Sequence, residues 1–177
     1  MLKKYKITEE RHPKNPKIGR IEALIDFGDV KKGDKGGFIE KEENLSHYGE
    51  AWVWGNAEVY GNAKVYGNAE VCDNAKVCDN AEVCDNAEVY GNAKVCGEAR
   101  VYDEAQVTTV VKTFGNGFDY RITVTDKHIK IGCQQHLKSV WYNFQEGEII
   151  KMGGKRALKF WGIFKPLAEQ LGLFKEI

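Results

Sequence analysis

A six-residue pattern repeats along the middle of the chain, from Ala51 to Gln106. Nine units of the type Ala-x-Val-x-Gly/Asp-Asn follow one another without an insertion, and a tenth begins after them. The units read AWVWGN, AEVYGN, AKVYGN, AEVCDN, AKVCDN, AEVCDN, AEVYGN, AKVCGE and ARVYDE. So short a period is typical of a solenoid, in which each repeat packs only on its neighbours. We therefore expect flat faces and edges rather than a deep cleft.

Each unit predicts one short strand followed by a corner. Alternate side chains of a strand point to opposite faces, so Ala51 and Val53 share one face and Trp52 and Trp54 share the other. Because Ala and Val recur in every unit, we expect them to point inward and the variable residues to point outward. The closing Gly-Asn or Asp-Asn suits the left-handed backbone of a tight corner.

The repeat resembles the hexapeptide repeat of left-handed parallel β-helices. In that family an aliphatic residue is followed four places later by a small one, as Val53 is by Ala57 and Val101 by Ala105. The resemblance implies the left hand and three hexads in each coil, so that residues 18 apart stack.

The same register can be extended towards the N-terminus. Counting back in sixes places Leu45 and Ile39 in the inward slot of Ala51, and His47 in a Val slot. Residues 39–110 would then form twelve hexads, or about four coils. At ~4.8 Å between strands this is a column of roughly 20 Å, whose open ends need caps.

The flanking segments predict a cap and a second folded part. Two β-like runs, KYKIT and GRIEALIDF, are separated by a Pro-containing loop from His12 to Lys17. RITVTDKHIKIGC predicts a hairpin that turns at Asp126-Lys127, and HLKSVWYNF predicts a short helix. Beyond Gly153-Gly154, apolar residues at helical spacing would pack on the hairpin or cover the open coil end, and Pro166 would kink this helix or begin another.

The predicted fold is therefore mainly β, with three segments. Residues 1–38 form an N-terminal β cap, 39–110 a left-handed parallel β-helix of about four coils, and 111–177 a C-terminal α+β segment of a hairpin and helices.

The N-terminal part has a further resemblance over residues 4–107. It is similar to the signature of YdcK-like hexapeptide-repeat proteins, which are often found among phage and prophage sequences. The matching segments are Ile21 to Ala23, Asp26 to Val30, Gly33-Asp34, Gly36 to Glu40 and Asn44 to Ser46. The resemblance implies the fold and a phage or prophage origin, and it specifies no activity.

The formal net charge is zero, but charges of opposite sign are segregated along the chain. Residues 1–38 carry ten basic and six acidic side chains, 39–107 carry five and fourteen, and 108–177 carry eleven and six. An acidic column thus lies between two basic ends. Either its acidic corners simply keep it solvated, or the basic ends engage an anionic partner.

Four of the five cysteines occupy one outward slot of the repeat: Cys72, Cys78, Cys84 and Cys96. The simplest interpretation is that Cys is a small outward filler between tyrosines. Since Cys78 and Cys96 are 18 residues apart, a Cys78–Cys96 bridge and a thiol metal site are the alternatives. There is no C-x-x-C spacing.

Catalytic precedents for this fold find little support in the residues. Acyltransferases of this class use a histidine base near an extruded loop, but the repeats have no such loop and His47 is the one histidine in register. The related carbonic anhydrases need three zinc-binding histidines, and 51–107 contains none. Cys133 and His136 form a lone C-x-x-H. These residues define one further candidate, a polar site of His47, Cys133 and His136. We predict no catalytic residue, metal or cofactor.

Outward aromatic residues are the stronger candidate for function. Stacking by 18 forms three columns, and solvent-facing Trp and Tyr are enriched at interfaces. Alternatively, these rings shield the backbone ladder. The candidate interface comprises Trp52, Trp54, Tyr48, Tyr60, Tyr66, Tyr90 and Tyr102.

The sequence favours a non-enzymatic binding or assembly module, phage- or prophage-encoded and homo-oligomeric as a trimer or dimer. It would act on a host protein, such as a component of host defence. The alternative is an acyltransferase with an intersubunit site, and a third hypothesis is salt-dependent nucleic-acid binding through the basic ends. No apolar run is long enough to cross a bilayer and MLKKYKITEERH lacks a signal-peptide core, so we expect no membrane association and a location in the (host) cytoplasm.

Overall fold

A computed structural model describes residues 3–102, 105–107, 112–114, 120 and 122–175 of the chain. The chain divides into two compact units, residues 1–111 and 112–177. The first is a parallel β-solenoid of about four coils with an N-terminal β cap, and the second is a small α+β unit. The mainly β fold class is confirmed. The expected boundary between residues 110 and 111 lies outside the described residues.

The unit begins with an antiparallel hairpin. Strand β1 (Tyr5–His12) pairs with β2 (Asn15–Ala23), and β2 pairs in turn with β3 (Lys35–Ile39). Because the second strand already begins at Asn15, the expected loop is only a tight turn at Pro13-Lys14. A short 3-10 helix (Glu42–Asn44) follows β3.

Ten two-residue strands build the coils. They are β4 (Trp52–Val53), β5 (Glu58–Val59), β6 (Lys64–Val65), β7 (Glu70–Val71), β8 (Lys76–Val77), β9 (Glu82–Val83), β10 (Glu88–Val89), β11 (Lys94–Val95), β12 (Arg100–Val101) and β13 (Gln106–Val107). They form three parallel faces with the orders β3-β5-β8-β11, β4-β7-β10-β13 and β6-β9-β12. Val53 pairs with Val71, and Val71 with Val89, which confirms the 18-residue stacking.

The inward alanines and valines of the repeat form one continuous core. From Ala51 to Val107 none of them exposes more than 2% of its surface, as the alternation predicted. The corners take the expected left-handed backbone, at glycines such as Gly67 (φ 72°) and at Asp73, Asp79 and Asp85 (φ 62°, 61° and 59°).

The first coil departs from the predicted register. Ile39 pairs with Val59 and Leu45 with Val65, so these residues occupy Val slots and stack at a spacing of twenty residues. The expectation that they fill Ala slots, with His47 in a Val slot, is wrong. Eight positions rather than six separate Leu45 from Val53, so the corner between them contains two extra residues.

The cap supplies donors that the first coil would otherwise lack. Each coil donates its N–H groups to carbonyls of the following coil, so carbonyls of the first coil have no coil before them. Lys4 Nζ donates to the carbonyls of Ala51 (2.8 Å) and Gly49 (3.2 Å). Tyr5 Oη donates to the Leu45 carbonyl at 2.8 Å. Buried carbonyls that lack a donor are costly, so these side chains terminate the solenoid.

The second unit is a meander sheet packed by helices. Its strands are β14 (Lys112–Phe114), β15 (Ile122–Val124), β16 (His128–Ile131) and β17 (Gln134–Leu137), in that order, followed by helices α1 (Lys138–Asn143) and α2 (Glu146–Gln170). The hairpin at Asp126-Lys127 is confirmed by the pairing of Val124 with Ile129. Strand β17 was not predicted from the sequence.

The apolar stripe of α2 packs on the sheet that contains the predicted hairpin, which was one of the two arrangements expected for it. Phe160, Trp161 and Phe164 are buried with Ile122 and Ile129 in one core. Gly153 and Gly154 have non-helical backbone and interrupt α2, as expected. Pro166 does not begin another helix, because α2 continues through this residue with helical backbone. Among the described residues, no helix is both long enough and apolar enough to span a membrane.

Candidate functional site

The predicted aromatic interface is only partly exposed. Tyr48 exposes 72% of its surface and Tyr66 37%, whereas Trp54, Tyr60, Tyr90 and Tyr102 are half-buried. A hydrogen bond with Cys84 and burial raise the pKa of Tyr66 above its usual value. The outward aromatic residues therefore include both exposed and half-buried rings, so neither interpretation accounts for all of them.

Trp52 is buried, and its assignment to an exposed interface is wrong. Its ring is only 1% exposed and makes edge contacts with Tyr5 (6.1 Å between centroids) and Phe27 (5.3 Å). The repeat correctly indicates that Trp52 points away from the solenoid core. At the first coil, however, the N-terminal segment covers the outer face, so an outward residue becomes part of the core.

His47 forms part of the cap rather than a cleft. Its ring stacks on Tyr5 at 4.3 Å, and its Nδ1 accepts a hydrogen bond from the Lys4 backbone N–H at 3.2 Å. Its Nε2 lies 3.8 Å from a Glu42 carboxylate oxygen. These contacts hold the N-terminal strand on the first coil.

Cys133 and His136 belong to the second unit. Cys133 is exposed in the turn between β16 and β17, whereas the His136 ring packs edge-on against Trp141 (5.2 Å) and Phe144 (5.0 Å). Burial lowers the pKa of His136. The predicted polar site of His47, Cys133 and His136 is thus divided between the two units.

A polar groove that the sequence analysis missed lies beside the tip of the N-terminal hairpin. We call it the hairpin groove. It encloses about 510 Å³. Its lining comes from the hairpin, from β3 and from the outer surface of the first face, namely Glu10, Arg11, His12, Pro13, Lys14, Arg20, Phe38, Asn56, Glu58, Asn74, Lys76 and Asn92.

The wall of the groove is held by stacked and ionic contacts around Phe38. The Arg20 guanidinium lies 4.2 Å from the Phe38 ring centroid, and the His12 ring meets the same ring edge-on at 4.8 Å. Arg20 also donates to Glu10 at 2.6 Å and to the Gly36 carbonyl at 2.7 Å. These contacts hold the hairpin on β3 and the solenoid face.

A buried carboxylate joins the hairpin to the coils. Glu58 is 6% exposed, and its carboxylate lies 2.8 Å from Lys76 Nζ and 3.7 Å from His12 Nε2. His12 Nδ1 accepts a hydrogen bond from the Lys14 backbone N–H at 3.3 Å, so Nε2 is the nitrogen that carries the proton. His12 therefore presents a proton to Glu58 and has no nitrogen left as a base.

Other polar groups of the groove have no partner within the described part of the chain. Asn56, Asn74 and Asn92 follow one another at 18-residue spacing, and their exposed side-chain amides make no intramolecular hydrogen bond there. The corner amides elsewhere do pair, Asn62 with Asn80 at 3.3 Å and Asn68 with Asn86 at 3.1 Å.

Arg11 and Lys14 complete the groove at the hairpin tip. Both side chains are exposed, and neither makes an ion pair with another described residue. The groove therefore offers two cations and a row of amides to a ligand. The sequence carried a partial signal for this site, namely basic residues around Pro13 and an Asn at the corner of seven consecutive units, but no pattern indicated that the two come together.

The cysteine column contains a disulfide between Cys78 and Cys96, with 4.7 Å between their Cα atoms. The disulfide was one of the alternatives that the sequence left open. Cys72 and Cys84 are free thiols, for which the interpretation as small outward fillers still applies. Among the described residues, the one cluster with three potential metal ligands is Cys78, Asp79 and Cys96. Its two sulfurs are bonded to each other.

Comparison of the chain with models of known protein families and with curated proteins finds no match.

Proposed function

We propose that this protein is a non-enzymatic binding and assembly module whose ligand or partner contacts the hairpin groove. The observation that carries the proposal is the set of polar groups left unpaired there, the amides of Asn56, Asn74 and Asn92 and the cations of Arg11 and Lys14. Ligand sites are typically concave, and a small number of placed polar groups fix the orientation of the ligand in them.

The surroundings of the histidines support a binding role over catalysis. A general base needs a free nitrogen within reach of its substrate. His12 presents its protonated nitrogen to Glu58, and His47 is stacked on Tyr5 with Nδ1 engaged. The groove therefore contains recognition groups without an obvious base.

The exposed tyrosines support assembly of several copies, as a trimer or dimer. Tyr48 and Tyr66 are among the most exposed large rings of the solenoid, and aromatic rings in such positions are common in interfaces. Light scattering after size-exclusion chromatography tests this. The Tyr48→Ala/Tyr66→Ala variant should have a smaller mass than the wild type, whereas Tyr142→Ala, an exposed ring of the second unit, should not. Equal masses would contradict assembly through this face.

The partner class rests on the resemblance to phage and prophage proteins, which points to a host component and to the host cytoplasm. The Cys78–Cys96 disulfide is at odds with that location, because the cytosol keeps most thiols reduced. Alkylation of free thiols at lysis, followed by mass measurement, shows whether the disulfide is present in the cell. A protein alkylated at all five cysteines would agree with the cytoplasm, and one alkylated at three would contradict it.

Affinity capture from host lysate tests the binding function. Wild-type protein and the Arg11→Ala/Lys14→Ala variant serve as baits, with Lys17→Ala as a matched control because Lys17 is an exposed lysine of the same hairpin outside the groove. We expect a component retained by the wild type and the control but lost with the double variant.

Binding of acyl-coenzyme A is the result that would overturn the proposal in favour of an acyltransferase. Calorimetry with the wild type, His47→Ala and His136→Ala measures it. Saturable binding that either substitution abolishes would contradict the non-enzymatic proposal.

A further inference from the structure

We infer that the hairpin groove binds a phosphorylated sugar. The inference rests on the proposed binding function and names the chemical class of the ligand. The phosphate would lie at the hairpin tip, and the sugar ring would lie along the row of asparagines.

The charge of the groove matches a small dianion. Four cationic and two acidic side chains line it, a formal excess of two positive charges with His12 neutral. Glu10 is engaged by Arg20 and Lys35, and Glu58 by Lys76, so the excess resides on Arg11 and Lys14. A guanidinium fork binds two phosphate oxygens at once, and an ammonium beside it adds a second charge.

The surrounding charge restricts the size of this anion. Residues 1–38 carry more basic than acidic side chains, whereas residues 39–107 carry fourteen acidic and five basic ones, so the positive hairpin tip borders an acidic solenoid. A long polyanion such as a nucleic acid would extend over these carboxylates and be repelled. A compact anion meets only the two cations.

The row of asparagines matches hydroxyl groups. Each amide offers a donor and an acceptor, as each sugar hydroxyl does, so either group satisfies the other. Asn56, Asn74 and Asn92 lie on successive coils, and at ~4.8 Å per coil the row spans about 10 Å. That length suits a single sugar ring with its hydroxyl groups, and the groove volume of about 510 Å³ leaves room for the ring and its phosphate.

The remaining corners of the solenoid supply an internal comparison. There the amides pair along the column, as Asn62 does with Asn80. At the groove they do not pair, although the spacing is the same. The repeat alone therefore does not dictate the unpaired row, which coincides with the position of the cationic hairpin tip.

Titration calorimetry on the full chain tests the inference with glucose 6-phosphate, ribose 5-phosphate, glucose and inorganic phosphate. We expect saturable binding of at least one sugar phosphate, and weaker binding of glucose and of inorganic phosphate, because each of these engages only half of the groove. No saturable binding of either sugar phosphate to folded protein would overturn the inference. Tighter binding of a single-stranded oligonucleotide would also overturn it.

Variants separate the two halves of the groove. Arg11→Ala/Lys14→Ala should weaken sugar phosphate binding by about tenfold or more and also weaken inorganic phosphate. Asn74→Ala should weaken sugar phosphate by about fivefold and leave inorganic phosphate unchanged. The matched controls Lys17→Ala and Asn80→Ala, the latter at the same position of the next hexad, should change neither. Equal losses in variants and controls would contradict the assignment.

Two further arms identify the source of the ligand and separate this inference from the proposed function. Phosphatidylcholine vesicles with phosphatidylinositol 4-phosphate would sediment the protein if the phosphorylated ring is a lipid headgroup, which also supports the ligand class. If the lysate component is lost with Arg11→Ala/Lys14→Ala while no sugar phosphate binds, the binding function stands and the ligand class is wrong.

Discussion

Lys4 shows how a single charged residue terminates the solenoid. Its ammonium is buried, donates to two carbonyls of the first coil and lies 4.6 Å from the Phe27 ring centroid. Burial lowers the pKa of Lys4 to about 8, and the nearby Glu50 partly opposes this shift. A lysine is suitable here because one flexible side chain reaches both carbonyls.

Replacing Lys4 by Met should destabilise the protein and alter its pH dependence. The Gly49 and Ala51 carbonyls would lose their donor, which costs about 1–3 kcal/mol. Since the folded pKa lies below the unfolded value of 10.5, the unfolded state binds more protons between these two pH values. The lysine's contribution therefore rises as pH increases from about 8 to 10.5, and the loss in Lys4→Met should rise with it.

Urea unfolding of both proteins between about pH 7 and 10 measures this difference, in which the titration of cysteines and tyrosines cancels. Lys17→Met, at an exposed position, serves as the control. A stability difference between wild type and Lys4→Met that is constant with pH would show that burial does not shift this lysine.

The corners of the solenoid share a left-handed backbone conformation but differ in how closely the neighbouring coil approaches them. Gly55 and Gly67 are both left-handed, with φ of 57° and 72°. A Cβ on Gly67 would lie 2.8 Å from the backbone nitrogen of Asp85, whereas a Cβ on Gly55 would come no closer than 3.5 Å to Asp73. The hexads thus share a conformation, but not the clearance between coils.

Gly67→Ala should therefore cost more than Gly55→Ala. Both variants bear the left-handed penalty of about 1–2 kcal/mol, and Gly67→Ala adds a clash with backbone that should cost about 1–3 kcal/mol more. Denaturant unfolding under identical conditions gives the two free energies. Equal losses would mean that adjacent coils separate easily to admit a methyl group.

The disulfide joins two neighbouring coils on the face that carries β8 and β11. It closes a loop with a sequence separation of 18, for which the loss of unfolded-chain entropy predicts about 3 kcal/mol of stabilisation. Cys78→Ser/Cys96→Ser should lose about this amount without reductant, while Cys72→Ser, at a free thiol of the same slot, should not. If reductant leaves the wild-type unfolding midpoint unchanged, the bond contributes nothing to stability.

For the whole molecule, the sequence predicted periodic features and missed contacts between non-periodic segments. The alternation of residues identified the Ala/Val core, because the inward face of each hexad needs small apolar side chains. It could not indicate that the N-terminal segment covers Trp52, because the period of a repeat predicts the direction of a side chain but not which segment packs over it. The groove was missed for a related reason. His12 and Glu58 are far apart in sequence and come together because a hairpin that no repeat encodes packs on the solenoid.

The two units have separate cores that share no residue among those described. Phe164 is 1% exposed and stacks on Phe160 at 5.5 Å, whereas its neighbour Ile163 is 60% exposed. Phe164→Ala should destabilise the second unit by about 3–5 kcal/mol through the cavity that it leaves, and Ile163→Ala should have little effect.

Hydrogen exchange measures the loss of stability separately in each unit. In Phe164→Ala the amides of β15, β16 and α2 should exchange faster, while those of β7 to β10 should keep their protection, because Phe164 belongs to the core of the second unit and the solenoid valines belong to another core. Faster exchange in both units would show instead that the chain unfolds as one cooperative body, so that stability gained in the regular solenoid also supports the aperiodic helices.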